Sequence, residues 1–182
     1  MKELSLHVLD IVQNSIKAGA TLVEIDICED SKDDLMIIQI SDNGKGMDEE
    51  TVKKLEDPFF TTRTTRKVGL GIPFFAQAAQ SCGGDLKVES ELGKGTTVTA
   101  NFIRSHIDRA PLGSMSDTMV SLIAVNPEMD FVYRHKIDNN EFVLDTRDVR
   151  KVLQEVPLSN PMVLDWIKKY IEDNLIEITG GV

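Results

Sequence analysis

Residues 35–47 run Leu-Met-Ile-Ile-Gln-Ile-Ser-Asp-Asn-Gly-Lys-Gly-Met, a nearly continuous apolar run that ends in a carboxylate and a loop punctuated by Gly44 and Gly46. The run from Leu35 to Ile40 predicts a strand. A carboxylate at Asp42, where that strand ends, can accept from the exocyclic amino group of adenine, and the glycines let backbone approach the ring closely. Guanine presents a carbonyl at that position, acceptor against acceptor, so the same carboxylate would reject GTP. Taken alone, Asp-Asn-Gly is also a common turn tripeptide.

Upstream, residues 21–28 alternate Val23, Ile25 and Ile27 with Glu24 and Asp26, which predicts a second strand joined to the first by the acidic turn 29–34. Before it, residues 3–18 predict a helix. Leu9, Val12 and Ile16 repeat at i, i+3, i+7, while Asp10, Asn14 and Lys17 repeat at i, i+4, i+7 about 100° around the wheel. One face packs; the other presents a carboxylate, an amide and an ammonium. An amide oxygen can take one corner of an octahedral Mg²⁺ whose other ligands are waters and phosphate oxygens, and the ammonium can reach a phosphate. The same pattern also suits a solvated helix face.

Downstream, residues 48–56 predict a short helix with Asp48 as N-cap. Residues 57–68 carry no hydrophobic period and predict a loop. Arg63, Arg66 and Lys67 stand there among Thr61, Thr62, Thr64 and Thr65 with no acid between Asp57 and Gly69, a local anion-seeking patch in an acidic chain. Gly69-Leu70-Gly71 opens a helix over 70–82, with Pro73 near its start and Gly83-Gly84 beyond its end. The first free N–H groups of that helix form a natural phosphate seat. Residues 86–89 and 96–103 predict two strands joined by a glycine hairpin at 91–95, and Gly93-x-Gly95-Thr96-Thr97 can bring a hydroxyl near a base edge.

Taken in order, these elements resemble the GHKL superfamily of ATP-binding domains, which includes histidine kinases, anti-sigma-factor kinases, DNA gyrase, Hsp90 and mismatch-repair ATPases. LDIVQNSIKAGAT looks like the N box, SDNGKGM like the G1 box, DPFFTTR like the F box, VGLGI like the G2 box, and GKGTTVT like the final glycine-threonine motif. No GxxxxGK[ST] loop of the Walker type is present. The resemblance covers residues 1–104 and implies an α/β two-layer sandwich, a mixed β-sheet with helices on one face, with ATP between the first helix and a lid. It implies that Asn14 binds Mg²⁺, that Asp42 takes the adenine amino group, and that Gly44 and Gly46 border the base edge. It further implies Lys17 near the phosphates, Gly69, Leu70 and Gly71 contacting phosphate through backbone, and Arg63, Arg66 and Lys67 on the lid that Phe59 and Phe60 anchor. Thr97 would reach the adenine side. The short lid resembles kinases more than gyrase-like clamps.

Two departures bear on activity. Asp10, the candidate catalytic residue, stands where many members carry glutamate, and the shorter side chain draws the carboxylate back by about one bond length, ~1.5 Å. Misplacement of that size can slow a reaction on the order of a hundredfold, so slow hydrolysis is expected. The N box also begins at the start of this sequence, so no upstream helical segment bearing a phosphorylated histidine is expected.

Acidic residues number 30 against 20 basic ones, a net charge of −10, which repels nucleic-acid backbones and anionic membrane surfaces. No run approaches the roughly 18 apolar residues of a membrane helix, and no signal peptide opens the sequence, so a cytoplasmic place is expected. Cys28 and Cys82 stand apart and read as buried thiols. His7 reads as a surface or supporting residue rather than a phosphoacceptor, and His135, between Arg134 and Lys136, as solvated. Residues 105–117 read as a linker. Residues 118–182 read as a small α+β C-terminal extension with helices near 117–125, 146–155 and 160–175 and strands near 130–137 and 140–146, available for packing on the ATP domain, for a homodimer or for a partner. The combined expectation is a kinase-type ATPase that uses ATP and Mg²⁺ and passes phosphate to a histidine or serine of a partner protein. Its alternatives are an ATP/ADP-dependent switch with little phosphotransfer, and a slow dimeric clamp.

Overall fold

The computed structural model describes residues 2–56 and 70–181. The chain runs α1 (Leu4–Lys17), β1 (Leu22–Asp30), β2 (Leu35–Asp42), α2 (Glu49–Glu56), α3 (Gly71–Gln80), β3 (Asp85–Glu91), β4 (Gly95–Ile103), α4 (Met115–Val125), β5 (Asp130–Ile137), β6 (Asn140–Asp145), α5 (Thr146–Leu153) and α6 (Pro161–Ile178). Local chemistry sets several ends. The Asp48 carboxylate accepts from the Thr51 N–H at α2, Ser114 caps α4, Asp145 caps α5, and Asn160 followed by Pro161 starts α6.

The strands form one sheet in the order β3-β4-β2-β1-β5-β6. All neighbours are antiparallel except β1 and β5, which run parallel. Strand alternation divides the two faces, except that Val132, in phase with Arg134, is also buried. On one face the pairs Ile25–Ile40, Ile38–Ala100, Met36–Phe102, Val88–Val98 and Ile25–Tyr133 lie in register, and all are buried. Helices α1, α3, α4 and α6 supply the second layer, with Val8, Ile11, Val12, Phe75, Met119 and Ile167 in the same core as the strands. The other face carries Glu24, Asp26, Gln39, Ser41, Thr97, Thr99 and Arg134. This is a two-layer α/β sandwich on a mixed sheet.

The residues after 105 join that sandwich. β5 adds to the sheet beside β1, β6 adds beside β5, and Phe131, Tyr133 and Ile167 share the core of the first hundred residues. The segment between them is tied down as well, since the N–H groups of Leu4 and Ser5 donate to the carbonyls of Pro111 and Leu112.

Three sequence expectations are corrected here by periodicity. His135 is buried, 2% exposed, because its register partner is Ile27 and both face the helices; Arg134 and Lys136 point the other way. Its Nδ1 lies 2.8 Å from the Tyr133 hydroxyl and its Nε2 3.1 Å from Glu29 Oε1, and Arg104 closes the group at 3.1 Å from Glu29. His7 is buried too, on the packed side of α1, stacked on Phe75 with ring centroids 5.1 Å apart. Cys28 is partly exposed rather than buried, whereas Cys82 is buried as expected.

These buried groups make stability depend on pH. The hydrogen bond with His135, helped by Arg104, holds the Glu29 carboxyl below its usual 4.5 despite burial. Burial pushes His7 below 6.5. In both cases the folded chain binds fewer protons than the unfolded one, so stability rises with pH through each window. Urea unfolding across pH 4–8 should show full stability above pH 6.5, a first decline below it and a further decline below 4.5. His7→Phe should flatten only the first decline, and Glu29→Gln only the second.

Candidate functional site

A cavity of about 470 Å³ opens beside the C-terminal end of β2, where α1, the loop after β2, α2, α3 and β4 meet. Helix α1 aims its last turns at it, with Asn14, Ser15 and Lys17 on the wall. Ile40 and Asp42 of β2 and Thr96 and Val98 of β4 line its sheet side, because Ile40–Val98 and Asp42–Thr96 are cross-strand pairs on one face. Ile11, Met47 and Ile72 add apolar wall, and Lys45, Asp48 and Thr51 a polar margin.

Asp42 is held in two places. Its Oδ2 accepts from the Ser15 hydroxyl at 2.6 Å and its Oδ1 from the Gly44 N–H at 2.9 Å. Each oxygen keeps a second lone pair for another donor. The loop after Asp42 is fixed from both sides. The Asn43 amide oxygen accepts from the N–H groups of Thr21 and Leu22, and the Lys45 N–H donates to the Ala18 carbonyl at 3.0 Å.

From the other side the β3–β4 hairpin is clamped down. The Gly93 N–H donates to the Lys45 carbonyl at 2.7 Å and the Met47 N–H to Ser90 Oγ at 2.8 Å. Gly46 and Gly95 hold positive φ, +66° and +118°, and a Cβ on either would strike a backbone carbonyl, that of Glu91 or that of Asp42. Both positions need glycine for conformation and for space. The clamp carries Leu92, 64% exposed, to the rim of the cavity.

The expected residues are distributed unevenly. Asn14, Lys17, Asp42 and Gly46 line the cavity, and Gly44 borders it through its hydrogen bond to Asp42. Gly71 brings α3 against the polar face of α1, where a Cβ would lie 3.1 Å from Asp10 Cβ and 3.8 Å from Asn14 Nδ2. Leu70 is the N-cap residue of α3 and half exposed. Asp10 sits at that α1–α3 contact and not among the residues lining the cavity. Thr97 is on the opposite face of the sheet, its hydroxyl 3.0 Å from Ser41 Oγ; Thr96 takes the cavity side. Phe59, Phe60, Arg63, Arg66, Lys67 and Gly69 lie outside the described residues.

Sequence reasoning passed over Ser15, Lys45, Thr96 and Leu92. Ser15 follows Asn14 directly, but only the placement of β2 shows that its hydroxyl meets Asp42. The choice between Thr96 and Thr97 follows from strand parity once Asp42 is paired across to β4. Chemically, the cavity offers an oriented carboxylate and apolar walls to a base, and an amide with a lysine to an anion. An adenine nucleotide fits this donor set. Among the described residues no group of three or more His, Cys, Asp or Glu side chains could hold a metal ion, and Asn14 presents a side-chain amide on the cavity wall.

Comparison with known proteins agrees with that geometry. The family model described as "Histidine kinase-, DNA gyrase B-, and HSP90-like ATPase" matches residues 2–106. The sensor protein kinase FleS of Pseudomonas aeruginosa is 36% identical over 110 residues, covering 60% of this chain and 27% of that protein. A putative sensor protein of Shewanella frigidimarina is 31% identical over 109 residues, covering 59% of this chain and 17% of the relative. The chain thus spans only a small part of the length of these relatives. Among solved structures, the N-terminal domain of a DNA repair protein superposes with a TM-score of 0.53 at 19% identity, over 80% of this chain and 53% of that one, a likeness of fold. No helix among the described residues is long and apolar enough to cross a membrane.

The clamp between hairpin and loop yields a direct check. Gly46→Ala or Gly95→Ala should lower the unfolding free energy by about 1–3 kcal/mol through strain and the forced displacement of the facing carbonyl, measured by urea denaturation. Gly93→Ala, whose Cβ would meet nothing within 4 Å, should cost less than either.

Proposed function

Because the chain belongs to the family of histidine kinase-, DNA gyrase B- and HSP90-like ATPases, we propose that it binds Mg·ATP in the cavity beside β2 and passes the γ-phosphoryl group to a histidine or serine of another protein. The likeness to a sensor kinase over 110 residues supports the kinase side of this reading. The observation that carries the nucleotide side is the Asp42 carboxylate, fixed by Ser15 and Gly44 at the cavity wall shared with Asn14 and Lys17.

In this reading the remaining lone pairs of Asp42 accept from the adenine amino group, and Gly44 and Gly46 leave room for the base edge. The Thr96 hydroxyl, on the cavity side, replaces Thr97 as the nearby hydroxyl. Lys17 neutralises phosphate charge, with Arg63, Arg66 and Lys67, and the backbone of Gly69, Leu70 and Gly71 at the start of α3 receives phosphate oxygens. Asn14 would supply a side-chain oxygen for magnesium, which would offset the charge of the phosphates. Asp10 orients the acceptor. The acceptor atom bonds to the γ-phosphorus as the bond to the bridging oxygen breaks, and ADP leaves with that electron pair. The working place is the cytosol, and neither nucleic acid nor an anionic membrane suits a chain of net charge −10.

One observation favours a second reading. Asp10 is a methylene shorter than glutamate and stands at the α1–α3 contact rather than in the cavity lining. Slow chemistry would leave ATP and ADP to set the shape of a partner surface, a nucleotide switch rather than a transferase.

Incubation with Mg²⁺ and γ-phosphate-labelled ATP, with and without source-cell extract, separates the two. Label on another protein, lost in Asn14→Ala, is the expected result; retained nucleotide without transferred label would select the switch. For the base, Asp42→Asn should weaken ATP binding roughly 10- to 100-fold, as loss of a charged hydrogen bond does, and should narrow the preference over GTP. Leu92→Ser, at an exposed site, should weaken ATP and adenosine alike by a fewfold in calorimetry and leave thermal stability unchanged. Equal binding of ATP and GTP by the unaltered chain would overturn the role given to Asp42.

A further inference from the structure

The far edge of the sheet carries a second, separate opening. β6 is the last strand in the sheet order, and a groove of about 530 Å³ lies along it. Val143 and Leu144, neighbours that point to opposite faces of the strand, both line this groove. A space that touches both faces of an edge strand lies beside its unpaired edge. Val149, Val152 and Leu153 of α5 wall it on one side, and Trp166 and Tyr170 of α6, stacked with ring centroids 5.0 Å apart, on the other. Val143, Val152 and Trp166 are all exposed, so the apolar surface is open.

The charges of the open face say what would fit. Across that face the strands alternate in sign. β1 presents Glu24 and Asp26; β5 presents Arg134, which bonds both carboxylates, and Lys136; β6 presents Glu141, in register with Lys136, and Asp145. Continued by one strand, the alternation calls for basic residues. The Asp145 carboxylate is already held by Arg147 as the cap of α5, which leaves exposed Glu141 as the principal partner for a cation. The charged residues lining the groove are Asp145 and Asp148, and Asp148 is likewise paired, with Lys151 at 2.8 Å. A second copy of this chain fits poorly. Antiparallel pairing of β6 with itself about Val143 would set Glu141 opposite Asp145 twice, like charge against like.

We propose that β6 is a docking edge for an extended segment of another protein, which adds as a seventh strand. Its residues facing the helices are apolar and enter the groove beside Trp166 and Tyr170; its residues on the open face include Lys or Arg opposite Glu141. Main-chain hydrogen bonds to the free edge provide the attachment, and the alternating side chains provide the selectivity. The placement is remote from Asp42 in the sheet order, with β1 and β5 between β2 and β6, so docking and nucleotide binding can be read independently.

Trp166 is the only tryptophan of the chain and reports on the groove directly. The full chain should be titrated with the capped peptide Thr-Lys-Val-Val-Leu-Lys-Thr and with the same peptide carrying Glu for both Lys, following Trp166 fluorescence and amide hydrogen exchange of residues 140–145. The expected result is saturable binding of the basic peptide, increased protection of β6 amides, and weaker binding of the acidic peptide. Glu141→Lys should weaken the basic peptide about threefold and strengthen the acidic one by a similar factor. The proposal is overturned by equal binding of both peptides, by binding without protection of β6, or by no binding at millimolar peptide. It is also overturned by a concentration-dependent dimer that protects the β6 amides without any peptide.

Discussion

The register of β2 governs both the core and the site. On one side Ile40 pairs with Ile25, on the other with Val98, and two residues on Asp42 pairs with Thr96. Because side chains alternate, the register that buries Met36, Ile38 and Ile40 beneath the helices also turns the Asp42 carboxylate to that face, at the point where helix cover gives way to a cavity. A slip of one residue would bury Gln39 and Ser41 and turn Asp42 to the open face. The hydrophobic core therefore specifies the position of the residue proposed to meet the base. The Ser15 hydroxyl completes the link by joining α1 to the strand end at 2.6 Å.

Around that anchor, close backbone contacts bring the surrounding elements together. Gly46 and Gly95 allow the hairpin and the loop after β2 to touch carbonyl against Cα, and Gly71 allows α3 to sit on the polar face of α1. At the opposite end of the sheet the same helix-facing register encloses a polar group, Tyr133, His135 and Glu29, closed by Arg104. Each buried member has partners, as burial in a low-dielectric core requires. The group ties β5 to the end of β1, and so ties the residues after 105 to the sandwich that holds the cavity.

Much of this was legible in the chain itself. The alternation of Val23, Ile25 and Ile27, the apolar run at 35–40, the spacing of α1 and the capping residue at 48 mark the elements, because helix and strand periods are local properties. The ordered glycine motifs point to a nucleotide-binding family for the same reason, since each encodes a backbone shape in a few residues. His135 was misplaced because its charged neighbours outweighed the strand period. Thr96 and Thr97 cannot be told apart locally, because parity needs the pairing partner, which lies more than fifty residues away. The residues after 105 carried element boundaries but no destination.

The sequence by itself determined the elements, their order, the presence of a carboxylate-glycine loop after an apolar strand and an amide-bearing helix face before it, because those depend on neighbours along the chain. Tertiary structure alone decided that β5 enters beside β1 in parallel, that Ser15 and Thr96 rather than Thr97 share the cavity with Asp42, and that β6 is left as an open acidic edge. These are matters of which distant strands pair and in what register, and register is chosen by burial summed over the whole sheet. No local pattern carries that sum.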